Sequence, residues 1–284
     1  MDLQFYPKDN IFMKYLINYA NETYRNTQQF NSWTGKNIAK FDRVIEYSDK
    51  DIDEVFYKEN KEILDTKRGN GLWLWKPYII AKTLEIVSED DIIFYCDAGA
   101  FFFREPKELW KIMEQIDFWI SEVPLIEEQF TKKMVLNKFD EKKVFRKENQ
   151  FQACFQAVRK TERNIRIIQE WVDACKDKNL LAPPNTMESE DECFISHRED
   201  QSLLSLILKK NGINAHQDPT QYSRFPDFYW NHLGDKVVRA RNDKIEYKPF
   251  IILHRRKRVG LKVFAMPFYY FCLPRKMVLK ITRG

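Results

Sequence analysis

The carboxylate of Asp97 sits inside the run "IIFYCDAGAFFF", residues 92–103. β-Branched and aromatic residues bounded by a glycine-containing turn predict a buried strand, and a carboxylate at its end is costly to bury without a partner. Two kinds of partner suit it. One is the backbone of the turn, which Asp commonly caps; the other is a hard cation such as Mg²⁺ or Mn²⁺, which would bring a diphosphate with it. Gly99, two residues on, lets a ligand reach the backbone with no Cβ in the way.

Three further groups have the same double character. "RGNGLWLWKP", residues 68–77, gathers Arg68, Trp73, Trp75 and Lys76 around two glycines. Tryptophan stacks on a base or a sugar face and the cations neutralise phosphate, although the same tryptophans also suit a core. "HREDQSLLSLI", residues 197–207, places His197, Arg198, Glu199, Asp200 and Gln201 at the start of a predicted helix. Acidic residues belong in a first turn on dipole grounds, yet a dense polar set held by an apolar run is also a rigid site. His254 closes the apolar run "FIILH"; alone it reads as a satisfied histidine, and in company as a ligand.

The elements that would position these groups alternate. Residues 11–30 read as a helix, 41–47 as a strand and 51–64 as a charged helix. "YIIAKTLEIV" after Pro77 reads as a helix leading into the strand that reaches Asp97. Then come a helix with Pro106 in its first turn, a strand in "DFWISEV", a strand over 151–159, and a helix over 161–178 with Ile165, Ile168, Val172 and Cys175 as its buried stripe. "LLAPPNTMESED" is a loop, "EDQSLLSLILKK" a helix, "INAHQD" a strand, and "KPFIILH" a late strand. Such alternation predicts an open α/β sheet with mixed late strands. Ligands of such sheets lie beyond the carboxyl ends of the strands, where Asp97 and His254 are expected.

The 284 residues, 44% of them hydrophobic, suffice for one large α/β domain or two small ones. Five cysteines without CxxC spacing read as reduced thiols and exclude a disulfide or zinc framework. The start, "MDLQFYPKDN", has neither the basic nor the apolar part of a signal peptide, and no run of 18 apolar residues predicts a membrane span. Location in the cytoplasm is therefore expected.

In chain order, "GNGLWLWKPYII", "FYCDAGA", "FQACFQAVRKTE", "HREDQSLLSLI" and "IILHRRKR" together resemble the GT-A type nucleotide-sugar glycosyltransferases of bacterial capsule and lipopolysaccharide biosynthesis, over roughly residues 41–258. The resemblance implies a single Rossmann-like α/β domain, residues 1–258, with a central, mostly parallel mixed sheet flanked by helices. It implies a nucleotide-sugar donor, plausibly a UDP-hexose such as UDP-galactose, and a glycan or lipid-linked glycan acceptor. Asp97 matches the first acid of the family's Asp-x-Asp metal motif and His254 its late histidine, so both are expected to hold a divalent cation, Mn²⁺ or Mg²⁺. Gly99 stands where the second Asp would be, which puts strict metal dependence in doubt. Asp200, at the acid of the His-Arg-x-Asp-Gln element, is the expected catalytic carboxylate, with Glu199 beside it. Arg68, Trp73, Trp75, Lys76, Asp97, Ala98, Gly99, His197 and Gln201 are the expected donor-binding residues. The alternative is a GT-A-like scaffold protein that has lost catalysis with its second Asp.

Net charge is +5, but five Arg and four Lys with no Asp or Glu crowd residues 255–283. Around an aromatic centre, that basic segment, 259–284, reads as a membrane-surface element drawn to anionic lipid. This predicts a protein peripheral to the inner face of the cell membrane. Packing on the domain is the second reading and nucleic-acid binding the third. The near-neutral body of the chain speaks against nucleic acid as a partner.

Overall fold

Seven strands organise the described residues: β1 (Lys14–Tyr19), β2 (Arg43–Tyr47), β3 (Ile92–Cys96), β4 (Ala100–Phe102), β5 (Phe118–Ile126), β6 (Asn149–Arg159) and β7 (Ile251–Leu253). In this computed structural model residues 12–231, 233–240, 245–275 and 277–278 are described. Five strands form one sheet in the order β2-β1-β3-β6-β5. β1 pairs parallel with β2 and β3, and β6 pairs antiparallel with both β3 and β5, so four of the five strands share one direction. β4 and β7 form a separate antiparallel pair. The result is a mixed α/β domain with a central, mostly parallel sheet and flanking helices, as expected.

The principal helices are α1 (Arg25–Asn37), α2 (Trp75–Ile86), α3 (Glu162–Lys176) and α4 (Glu199–Lys210). Side chains alternate across the sheet. Ile17, Ile93 and Tyr95 face the layer that contains Ile79, Trp171 and Leu204 from α2, α3 and α4, whereas Leu16, Ile92 and Phe94 face Phe41, Phe102 and Trp119. Because both faces are covered, both sets of positions must be apolar.

That double burial explains one departure from the sequence expectation. Residues 14–19 form β1, and the helix begins only at Arg25. A strand covered on both faces has a continuous apolar run with no period-2 signature, and such a run is not distinguishable from a helical one by pattern alone. The charged helix expected over 51–64 is divided into Glu54–Glu59 and Lys61–Leu64, broken at Asn60. "INAHQD" contributes a single bridge, His216 to Ser121. The buried stripe of α3 runs through Asn164, Ile167, Ile168, Trp171, Val172 and Cys175, leaving Ile165 exposed.

Two short helices, Leu261–Phe264 and Met266–Cys272, begin the basic aromatic segment. Val263 is buried with Phe101 and Ile252, Phe271 stacks on Phe103, and Arg224 donates to the carbonyl of Tyr270 at 2.6 Å. Leu261, Phe264 and Phe268 remain exposed. Among the described residues no helix is long and apolar enough to cross a membrane. The readings made for the first ten residues and for residues 279–284 lie outside the described residues.

Candidate active site at the carboxyl ends of β1 and β3

β1 and β3 are parallel neighbours, so Tyr19 and Asp97 emerge at the same edge of the sheet. The turn after β3 is held by Asp97 N–H donating to Cys154 O at 3.0 Å, Ala100 N–H to Asp97 O at 3.0 Å, and the Asn31 amide to Ala100 O at 2.9 Å. Tyr95 Oη–H donates to Asp97 Oδ1 at 2.6 Å. The turn cap and the functional partner are therefore not alternatives here: the backbone fixes the turn and leaves the carboxylate at the opening.

Residues 69–73 all have positive φ, with Asn70 at 53°, Leu72 at 52° and Trp73 at 62°. This left-handed winding is unfavourable for residues other than glycine. At Gly71 it also requires the absence of a side chain, since a Cβ would lie 2.9 Å from Leu64 Cα. The winding separates the two tryptophans. Trp75 turns inward, stacks on Tyr19 with centroids 3.9 Å apart, and donates its indole N–H to Gly69 O at 3.0 Å. Trp73 is left at the opening with Arg68 5.9 Å from its ring.

Lys76, in the first turn of α2, is 3% exposed. A buried ammonium at the positive end of a helix needs anions close by. Asp200 Oδ2 lies 3.0 Å and Asp97 Oδ1 3.7 Å away. Desolvation works to lower the Lys76 ammonium, but Asp200 and Asp97 outweigh it and hold it above its ordinary value. Burial pushes Asp200 up to about 6 against the opposing pull of Lys76. Glu199 is raised by burial and steadied by Arg68, whose Nε donates to Oε1 at 2.5 Å. Glu199 has φ of +40° at the start of α4, a strained conformation placed beside the cavity. Behind it the helix is anchored by Leu203, Leu204, Leu206 and Ile207, all fully buried, and by the Trp171 indole N–H donating to Asp200 O at 2.9 Å.

Two cavities adjoin along Trp73, Asp97 and Arg255. The first, about 440 Å³, is lined by Tyr19, Asn21, Tyr24, Asn70, Trp75, Ala98 and Gly99 among others. The second, about 340 Å³, is lined by Arg68, Lys76, Cys154, His197, Arg198, Glu199, Asp200 and Gln201 among others. Motifs spread over more than 130 positions thus converge on one opening, and every donor-binding and catalytic residue expected from sequence lines it. Two of those residues have little left for a ligand. His197 accepts from Lys132 N–H and donates to Leu180 O at 3.0 Å, and burial lowers it to about 3, so the ring is neutral. Gln201 donates to Gln150 and accepts from Ala153 N–H.

The expected metal pair is Asp97 and His254. His254 lines neither cavity. Its neighbours Leu253 and Arg255 do; β7 ends at Leu253 and the chain turns at Arg255, whose φ is +52°. His254 packs against Phe101, takes Arg256 N–H on Nδ1 at 3.0 Å, and is lowered by burial to about 4. Asp97 is already engaged by Tyr95 and Lys76. Among the described residues no group of three or more His, Cys, Asp or Glu side chains could hold a metal ion. Asp97 and His254 are at most two protein ligands, and the buried Nε2 of His254 has no hydrogen-bond partner among the described residues.

Arg198, Arg255, Tyr19 and Cys154 line the opening without being among the expected residues. Arg198 belongs to the dense polar set of residues 197–201 without having been given a role of its own, and Arg255 lies in the basic run "HRRKR", read as part of the basic segment.

No family model matches the sequence, and no curated protein resembles it in sequence. The chain path is similar to those of solved glycosyltransferase structures. Mouse xyloside xylosyltransferase 1 in its apo form is 11% identical, with 87% of this chain and all of that one covered at a TM-score of 0.47. A galactosyltransferase, LgtC, in complex with donor and acceptor sugar analogs is 12% identical, with 87% of each chain covered at 0.47. The glycosyltransferase GlyE of Streptococcus pneumoniae TIGR4 is 11% identical, with 95% of this chain and 62% of that one covered at 0.47.

Proposed function

We propose that the protein is a nucleotide-sugar-dependent glycosyltransferase. The observation that carries this reading is the cavity in which Asp200 and Glu199 each stand against a cation, opening beside Asp97 onto an aromatic-walled chamber. The nucleoside occupies the chamber of Tyr19, Tyr24, Trp73 and Trp75. The diphosphate crosses the turn at Asp97, Ala98 and Gly99, and the sugar reaches toward Asp200.

In the reaction the bond from the anomeric carbon to the phosphate oxygen breaks, and its electron pair leaves with the diphosphate. The acceptor oxygen bonds to the anomeric carbon, and its proton passes to the Asp200 carboxylate, which is ionised above about pH 6. Cations along the opening stabilise the departing charge. Glu199, fixed by Arg68, adds negative charge as the sugar becomes cationic.

The proposed donor is a UDP-hexose and the proposed acceptor a surface polysaccharide of the capsule or lipopolysaccharide type, or its lipid-linked precursor. The exposed Leu261, Phe264 and Phe268 beside Arg256, Lys257, Arg258 and Lys262 support docking on an anionic membrane, at about 1 kcal/mol per basic residue near the surface. The enzyme then works at the cytoplasmic face, where such a precursor is anchored.

The purified protein is tested against UDP-, GDP-, dTDP- and CMP-sugars. Hydrolysis of one donor, with a raised melting temperature in its presence, is expected; no turnover and no shift with any of them refutes the assignment.

A further inference from the structure

The reading of the opening as a donor site raises the question of what takes the charge of the leaving diphosphate, since the residues present do not assemble a metal centre. Pairing the charges answers it. Glu199 is taken by Arg68 at 2.5 Å and Asp200 by Lys76 at 3.0 Å, and Lys76 also serves Asp97 at 3.7 Å. Two guanidinium groups in the same lining are left over, Arg198 and Arg255. Neither guanidinium donates a hydrogen bond or forms an ion pair among the described residues; that of Arg255 only lies 5.9 Å from the ring of Tyr222. Desolvation is the largest influence on Arg198 and lowers it, with Arg255 adding to the fall and Glu199 opposing it, whereas Arg255 is held above its ordinary value against desolvation, Asp97 being one of the causes. The three carboxylates of this lining, Asp97, Glu199 and Asp200, are already in contact with Arg68 or Lys76, so the hydrogen-bond donors of both guanidinium groups stay open to an anionic ligand.

The backbone explains why Arg255 occupies this place. His254 N–H and Arg255 N–H both donate to Gly99 O at 2.9 Å, closing the turn after β3 against the end of β7. A Cβ at position 99 would lie 3.2 Å from Arg255 Cα. A carboxylate at 99 and the close approach of Arg255 therefore compete for the same space, and this chain has the second. Arg255 lines both cavities, at the junction where the diphosphate would cross from nucleoside to sugar.

We infer that Arg198 and Arg255 form the diphosphate clamp of this site and do the work of a divalent cation, so that donor binding needs no metal. This rests on the donor-site reading above. Guanidinium forks match phosphate oxygens bidentately. When the anomeric bond breaks, the electron pair passes to the phosphate oxygen and its charge is met by N–H donors already in position.

The test is calorimetric titration of the full-length protein with UDP, GDP and inorganic pyrophosphate, in EDTA and again with Mn²⁺ or Mg²⁺. A nucleoside diphosphate is expected to bind with Kd values agreeing within about threefold across these conditions. Arg255→Met and Arg198→Met are each expected to weaken binding in EDTA by about tenfold or more, the scale of one charged hydrogen bond. Lys257→Met, an exposed cation two residues away, is expected to leave it unchanged. Binding that appears only with the metal would overturn the clamp and keep the donor site. The clamp is overturned in the same way if Lys257→Met weakens binding as much as Arg255→Met, since attraction would then come from the basic run as a whole. If neither nucleotide binds in any condition, the donor site and the clamp fail together.

Discussion

Helix α4 carries a buried lysine–carboxylate pair at each end, and the two differ in how far they are satisfied. At its C-terminal end Lys209 meets Glu127 at 3.0 Å, both almost fully buried. Lys209 also donates to Asn149 O at 2.8 Å, and Glu127 accepts from Thr131 Oγ1 at 2.7 Å and from Ser205. At its N-terminal end Asp200 meets Lys76 at the same 3.0 Å and with similar burial. At both ends a second carboxylate shares the lysine, Glu148 at 3.5 Å from Lys209 and Asp97 at 3.7 Å from Lys76, but apart from its ion pair Asp200 Oδ2 has no hydrogen-bond partner among the described residues. Burial and distance are alike, yet one pair is saturated by protein and the other is held short of saturation beside a cavity. Incomplete satisfaction, rather than burial of charge, marks the end proposed as reactive. A saturated network specifies packing; an unsaturated one keeps capacity for a substrate.

The largest expected effect comes from breaking the reactive end. Asp200→Asn should lower kcat by about 10³-fold, within the range for loss of a general base, with the circular dichroism spectrum retained. Breaking the saturated end should do the reverse. Glu127→Ala removes the buried partner of Lys209 and leaves it only the half-exposed Glu148 at 3.5 Å, which should cost about 3 kcal/mol of stability in urea unfolding, while kcat per folded molecule stays unchanged. If Glu127→Ala abolishes turnover at full stability, the contrast between the two ends is wrong.

A smaller effect sharpens the same contrast through pH. Asp200 is raised by burial to about 6, above its ordinary value of 3.8, with Lys76 opposing and Asp97 and Glu199 reinforcing the rise. Only the ionised carboxylate accepts a proton, so turnover should fall about tenfold per pH unit below 6. The stability contribution of this group has the opposite sign. A carboxyl group that binds its proton more tightly when folded stabilises the fold at low pH, and that contribution is lost as pH rises through about 6. His197 and His254, lowered to about 3 and about 4, titrate below the start of that limb. In Asp200→Asn the residual rate should show no such limb.

The two ends of α4 also differ in what a sequence makes legible. The strand at Asp97 and helices α2, α3 and α4 are readable because each carries its own period or boundary signal. β1 is not, because cover on both faces erases alternation. The four polar motifs can be grouped because they fall at element ends, where an α/β sheet gathers its ligands. The choice between His254 and Arg255 cannot be read. It turns on the backbone just beyond β7, where Arg255 takes φ of +52° and its N–H and that of His254 both reach Gly99 O, a turn that composition does not signal. Arg198 is hidden differently: the role proposed for it rests on its guanidinium making no hydrogen bond or ion pair among the described residues, and only distances reveal that.

Gly99→Ala should give the smallest effect, and it probes the junction between the two cavities. The position needs no left-handed backbone, so a methyl group introduces no strain in φ. It meets Arg255 Cα at 3.2 Å and Arg255 N at 3.5 Å, and the neighbour that must give way is backbone, tied to Gly99 O by two N–H donors. A shift of a few tenths of an ångström there displaces the guanidinium of Arg255 at the junction while leaving Lys76, Asp200 and Glu127 in place. Nucleoside diphosphate affinity should therefore fall by about fivefold, roughly 1 kcal/mol, with the pH limb near 6 and the urea midpoint both unchanged. A loss confined to affinity places the defect at the phosphate junction. A matching loss of urea stability would make Gly99 a packing residue of the β4–β7 pair instead.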